Sequence, residues 1–217
     1  MSLRPDLLVI AEHIRPGARV LDVGCGDGAL MSALRDKGCD TRGLELDPVQ
    51  VERCVARGLS VMQGDADRDL ADYTDGAFDY AVLSQTLQTA RRPAWLLDEL
   101  LRVAGRAFVS FPNFAHWRVR KALLLGGRMP VTDAIPVSWY DTPNIHHLTI
   151  ADFRAFAAER GLQVKREWFF ADGRQSGAWG TNWRAEFGVF LVCSGSYLVD
   201  QVRNQREQGH TFNSQAC

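Results

Sequence analysis

Short apolar runs alternate along the chain with stretches whose apolar residues recur every three to four positions. Runs of the first kind predict buried strands and those of the second predict amphipathic helices. Their alternation is the pattern of a mostly parallel sheet covered on both faces. An opening helix over about residues 6 to 14 stops before "RPG", and "RVLDV" is the first predicted strand. A helix from Gly28 to Lys37 gathers Leu30, Ala33 and Leu34 on one side, and Gly38 ends it. "TRGLEL" is the second strand, after which Asp47 caps a helix with Pro48 in its first position. "LSVMQG" and "FDYAVLS" follow as strands three and four. "PAWLLDELLRVA" forms an amphipathic helix, apolar at Trp95, Leu96, Leu100 and Val103, and "RAFVSF" is strand five. A capped helix, "TIADFRAFAAERG", precedes the last two predicted strands, "LQVKREWFF" and "AEFGVFLVC", for seven in all.

Two segments break the alternation. Residues 112–148, with "HWRVRKALLLGGRMP" and "VSWYDTPNIHHLT", form an insertion or lid after strand five. Residues 196–217 lose apolar periodicity and are expected to be a loose tail. The expected organisation is one domain over residues 1–195, with no internal repeat.

Composition narrows the picture. A chain of 217 residues can build a substantial core without covalent staples. A net charge of −1 gives no sign of a nucleic-acid or membrane partner. The five cysteines (Cys25, Cys39, Cys54, Cys193 and Cys217) are scattered, with no CxxC pair or Cys/His cluster, against a zinc site or disulfide framework. The opening "MSLRPDLLVIAEHIRPG" places charges where a signal peptide needs an unbroken apolar stretch. No apolar run approaches membrane-spanning length. A soluble, reduced, cytoplasmic protein without a metal is expected.

The candidate chemistry starts at "VLDVGCGDGAL", a strand entering a glycine turn and then a helix, where backbone can approach a ligand closely. Gly24, Gly26 and Gly28 are spaced GxGxG, not the GxGxxG of dinucleotide sites. Asp22, two residues earlier, would repel a pyrophosphate but suits an ammonium or sulfonium charge. A tight strand-to-helix turn without a ligand is the competing explanation. Glu45 at the end of strand two could accept both hydroxyl protons of a ribose. Asp65, in "GDA" after strand three, could accept from an adenine amino group. "FDYAVLSQTL" ends strand four at the same edge of the sheet, where folds of this kind bind ligands.

"VLDVGCGDG", "GLELD", "GDAD" and "FDYAVLSQTL" together resemble the successive motifs of class I S-adenosylmethionine-dependent methyltransferases, over about residues 18–111. "LSQTLQTARRP", "RAFVSFPNFAHWRVR", "GRMPVT" and "WYDTPNIHHLTI" resemble the methionine-biosynthesis protein MetW family more specifically, to about residue 195. The resemblance implies a Rossmann-like class I fold with S-adenosylmethionine or S-adenosylhomocysteine bound. By position, Asp22, Gly24, Cys25 and Gly26 would hold its amino-acid end, and Glu45 its ribose. Leu46 would pack on the adenine, and Asp65 and Ala66 would meet the adenine edge. Leu83, Ser84 and Gln85 would lie near the sulfur and the mouth of an acceptor pocket. The family is associated with homoserine O-acyltransferase, which makes that enzyme the implied partner.

Methyl transfer from a sulfonium needs alignment and exclusion of water, and needs a base only when the acceptor must lose a proton. "LSQT" stands where amine methylation of nucleic-acid bases uses an "NPPY"-type motif, against such a substrate. Tyr140, Asp141, Asn144, His146 and His147 form a dense polar and aromatic group in the insertion. His146, His147 and Tyr140 are the catalytic candidates, unless the tyrosine packs the insertion and the histidines cap the next helix or face water. Trp117, Arg118 and Arg120 are candidate anchors for a partner. Two functions remain open: a cofactor-sensing partner that regulates the acyltransferase, and a small-molecule methyltransferase.

Overall fold

The computed structural model describes residues 3–132 and 135–194. The expected tail at 196–217, including Cys217, lies outside the described residues. The chain opens with α1 (Pro5–His13) and then runs β1 (Arg19–Val23), α2 (Ala29–Asp36), β2 (Asp40–Glu45), α3 (Pro48–Ala56), β3 (Val61–Gln63) and α4 (Ala66–Asp69). β4 (Tyr80–Ser84), α5 (Pro93–Ala104), β5 (Arg106–Pro112), α6 (Trp117–Gly126) and α7 (Ile150–Glu159) follow. β6 (Gln163–Ala171), β7 (Arg174–Ser176), α8 (Thr181–Arg184) and β8 (Phe187–Cys193) complete it. All eight strands join one sheet in the order β3-β2-β1-β4-β5-β8-β6-β7. The first five are mutually parallel, whereas β8 runs antiparallel between β5 and β6.

The seven-strand expectation falls one short. The additional strand, β7, folds back on β6 with Ala171 opposite Arg174. The two-residue connection is Asp172 (φ 49°) and Gly173 (φ 70°), and positive φ at both positions makes the tight turn that matches strand twist. The "DG" pair in "FFADGRQS" is the sequence signal for this hairpin.

Buried strands of a parallel sheet read as apolar runs because both faces are covered. On β5, Ala107, Val109 and Phe111 pack with Leu96, Leu97 and Leu100 of α5 and Phe153 of α7. Phe108 points the other way, with Ile10 of α1 and Leu30 and Leu34 of α2. Helix caps set the boundaries: Asp47 accepts from Val49 N at 2.9 Å, with Pro48 entering α3. Thr149 and Asp152 form a reciprocal capping box at the start of α7. In the expected insertion, Phe114, Val119 and Ile135 form a small core of their own. The chain is then tied back where Ile145 N and His146 N both donate to Gln88 O.

Candidate functional site

The carboxyl ends of β1 and β4 open onto a cavity of about 930 Å³ lined by Arg4, Asp22, Gly24, Cys25, Gly26 and Ser84 among others. The turn after β1 shapes its floor. Gly24 has φ 69°, and a Cβ there would stand 2.5 Å from Thr86 Oγ1, so this position admits no side chain without moving the loop after β4. Gly26 has φ 55° and nothing within 4 Å of where its Cβ would point. Backbone at Gly26 is therefore exposed to whatever occupies the crevice.

Glu45 is fixed at the end of β2. One oxygen, Oε2, accepts from Gly26 N at 2.7 Å, and Oε1 accepts from Leu46 N at 2.9 Å and Asp47 N at 3.0 Å. A carboxylate has about four lone-pair sites, so with three taken by backbone amides acceptor capacity remains for about one further hydroxyl. To the ribose-accepting role expected from the sequence, the structure adds the bracing of the glycine turn. Leu46 is 63% exposed beside it. Asp65 follows β3, which pairs in register with β2 through Glu45 and Gln63. Its carboxylate caps α4 by accepting from Asp67 N at 3.0 Å, and Ala66 is the first residue of that helix.

Asp22 is buried, and its pKa is pushed up to about 7, first by burial and then by the negative charges of Glu45 and Asp6, against the lowering pull of Arg4. Burial likewise holds the Cys25 thiol well above its ordinary range, so it lines the crevice as a neutral group.

The end of β4 carries features that the sequence did not reveal. Asp6, in the first turn of α1, is buried, and its Oδ2 accepts from Ser84 Oγ at 2.7 Å and Ser110 Oγ at 3.2 Å. Arg4 closes the network, donating to both oxygens of Asp6 at 3.1 and 3.2 Å and to Ser84 Oγ at 2.9 Å. The contacts to Ser84 and Ser110 join positions 78 to 104 apart, and a helix-start acid after a proline reads locally as no more than a favourable dipole partner. Gln85 follows with φ 56°, a left-handed conformation that is costly for a residue with a side chain. Its amide donates to Ser110 O at 3.0 Å. Leu83 is fully buried in the core under α5, so its side chain adds no surface to the crevice.

The catalytic candidates are not among the crevice-lining residues. His146 and His147 line a second cavity of about 320 Å³ between α5 and α7. His147 packs edge-on against Phe114 at 4.6 Å. Tyr140 is 69% exposed and packs against Trp139. The candidate anchors are partly engaged within the protein. Arg118 pairs with Glu186 at 3.3 Å, and Arg120 donates to Ala115 O at 2.6 Å. The open apolar surface of α6 is instead Leu124 and Leu125, 85% and 73% exposed. No group of three potential metal ligands occurs among the described residues, and none of their helices is long and apolar enough to cross a membrane.

This strand order, with a glycine turn after β1 and acids following β2 and β3, defines the class I S-adenosylmethionine-dependent methyltransferase fold. A SAM-dependent methyltransferase from Archaeoglobus fulgidus superposes with a TM-score of 0.68, covering 88% of this chain and 92% of that one at 13% identity. One from Mesorhizobium loti gives 0.64, covering 87% and 96% at 18% identity. Within that class, the chain belongs to the family described as methionine biosynthesis protein MetW, whose profile matches residues 4–192. It is 34% identical over 180 residues to the bifunctional methionine biosynthesis protein MetXA/MetW of Rhodopirellula baltica, covering 78% of this chain. It spans only 29% of that relative's length. A ubiquinone biosynthesis O-methyltransferase of Xylella fastidiosa is 37% identical over 105 residues, 45% of this chain and 43% of that protein.

Proposed function

We propose that the protein binds S-adenosylmethionine or S-adenosylhomocysteine in the crevice at the ends of β1 and β4, and acts with or regulates a homoserine O-acyltransferase. The observation that carries the cofactor reading is the open space over Gly26 in a cavity whose lining also carries a buried acid, Asp22, and the guanidinium of Arg4. An α-amino acid carries both charges. Asp22 would face its ammonium and Arg4 its carboxylate, while Glu45, which holds Gly26 N but is not itself a lining residue, would take one ribose hydroxyl beside the exposed Leu46. Gly24, Cys25 and Gly26 would supply backbone approach and Ser84 the sulfur end, whereas Asp65 and Ala66, for the adenine edge, and Gln85, for the sulfur end, are not among the residues lining this cavity. At Leu83 only backbone is available for this role.

The partner reading rests on family membership and on a relative whose name joins MetXA to MetW in one chain. The exposed Leu124 and Leu125 on α6 supply a surface for it, since apolar side chains clustered outside a core mark interaction sites. Regulation requires different cofactor affinities in the free and partner-bound states. The test is to purify the protein with its acyltransferase and titrate cofactor while following acyl transfer. A cofactor-dependent rate supports the proposal, and an acyltransferase indifferent to this protein at every cofactor concentration removes the regulatory part.

A second reading, a small-molecule methyltransferase, is favoured by the likeness of 105 residues of the chain to a ubiquinone biosynthesis O-methyltransferase. Bound cofactor would supply the activated methyl group. In this reading His146 or His147 would have to reach the crevice from the neighbouring cavity to act as base.

A further inference from the structure

The ion pair between Arg4 and Asp6 is lopsided: the arginine side chain is 56% exposed and that of the aspartate 3%. A buried carboxylate is costly to desolvate, and an apolar residue of similar volume often serves stability equally well. Stability alone gives little reason for an acid at this position. An arginine carries five N–H donors in a rigid fork. Nε donates to Asp6 Oδ1 at 3.2 Å, and Nη2 donates to Asp6 Oδ2 at 3.1 Å and to Ser84 Oγ at 2.9 Å. Those contacts occupy the donors of Nε and Nη2. Nη1 donates to no protein group among the described residues, so its two N–H groups are what Arg4 has left for an anion in the crevice it lines. Asp6 is itself held in place: Ser84 Oγ donates to its Oδ2 at 2.7 Å, and Oγ of the fully buried Ser110 donates to the same atom at 3.2 Å. Ser110 is not among the crevice-lining residues.

We propose that Asp6 is a positioning residue of the crevice: by fixing one edge of the Arg4 guanidinium it leaves Nη1 for the carboxylate of an amino-acid-bearing ligand, and so makes the site selective for ligands that carry one. This rests on the S-adenosyl reading of the crevice. A free arginine side chain gives up much rotamer freedom when a ligand orders it, and one already held gives up less. The charge of Asp6 has little net pull of its own, because it attracts an amino acid's ammonium and repels its carboxylate. Orientation is what remains, and its loss falls only on ligands with a carboxylate for Arg4 to meet.

Calorimetry on the full chain compares S-adenosylhomocysteine with 5′-methylthioadenosine, which shares its adenosine and sulfur but has no amino acid. The wild type should prefer S-adenosylhomocysteine. Asp6→Asn, which keeps the shape and removes the charge, should lower that preference about tenfold with 5′-methylthioadenosine unmoved. Ser110→Ala should lower it about threefold, since Ser84 and Arg4 still hold the acid, and it decides the matter if Asp6→Asn does not fold. In an Arg4→Gln background, Asp6→Asn should leave the preference where Arg4→Gln alone puts it, because residues that act through one another are not additive. No preference in the wild type, a preference that these variants leave unchanged, equal losses for both ligands, or full additivity with Arg4→Gln would overturn the proposal and leave the S-adenosyl reading standing. A wild-type chain that binds neither ligand would remove both.

Discussion

Replacing Gly26 with alanine separates a ligand cradle from a turn that is merely tight. Gly26 has φ 55° and Gly38, after α2, has φ 82°, and neither has an atom within 4 Å of a built Cβ. A left-handed conformation costs an L-residue roughly 1–2 kcal/mol relative to glycine. Gly26→Ala and Gly38→Ala should therefore destabilise the fold by similar amounts. In a chain of this size each 1 kcal/mol lowers Tm by about 2–4 °C. The variants part company in binding. At Gly26 the methyl points into the crevice, where a closely packed ligand would meet it, and overpacking of that kind typically costs about 1–3 kcal/mol. That corresponds to S-adenosylhomocysteine binding weakened roughly five- to 150-fold by calorimetry. Gly38→Ala should bind like the wild type after correction for folded fraction. Equal affinities in the two variants would refute the cradle.

Three further outcomes follow from the same geometry. Arg4→Gln should weaken S-adenosylhomocysteine about tenfold, as loss of a charged hydrogen bond predicts, yet leave 5′-methylthioadenosine, which lacks the amino acid, unchanged; equal losses for both would mean that Arg4 only supports the fold. Asp22 has a folded pKa of about 7 against an ordinary 3.8, so its contribution to stability is complete below about pH 4, is lost as pH rises to about 7, and is flat above. Denaturant titrations of Asp22→Asn should show that decline removed, and an unchanged pH profile would contradict the assignment. Thr149→Ala, which breaks the capping box of α7, should cost about 0.5–2 kcal/mol in the same titrations, without changing cofactor affinity.

The parts of this fold legible in the sequence were those whose signal is local. Strands β1, β4 and β5 stand out because burial on both faces makes each an apolar run, and Asp47–Pro48 and Thr149–Asp152 mark helix starts within a few residues. The β7 hairpin was also locally encoded, in Asp172–Gly173, but three largely exposed residues leave no apolar alternation to draw attention to it. The crevice divides the same way. Asp22, Gly24 and Gly26 come together because one turn carries them, and Glu45 joins them through adjacent parallel strands. Arg4 and Asp6 meet Ser84 and Ser110 only because α1 packs on the face of the sheet over β1, β4 and β5, a tertiary contact with no spacing rule behind it. The histidines show the reverse: their place in the insertion makes them catalytic candidates, whereas the anchoring of residues 145 and 146 to Gln88 holds them over a different cavity.

The central claim is that this crevice is built for an S-adenosyl ligand, and titration calorimetry of S-adenosylhomocysteine into the wild-type protein and Glu45→Ala tests it most directly. The account predicts one saturable site per chain, indifferent to added NAD, and about 1.5–3 kcal/mol weaker binding when Glu45 is removed, the range for hydrogen bonds to a charged group. Absence of binding, competition by NAD, or an affinity unchanged in Glu45→Ala would contradict it.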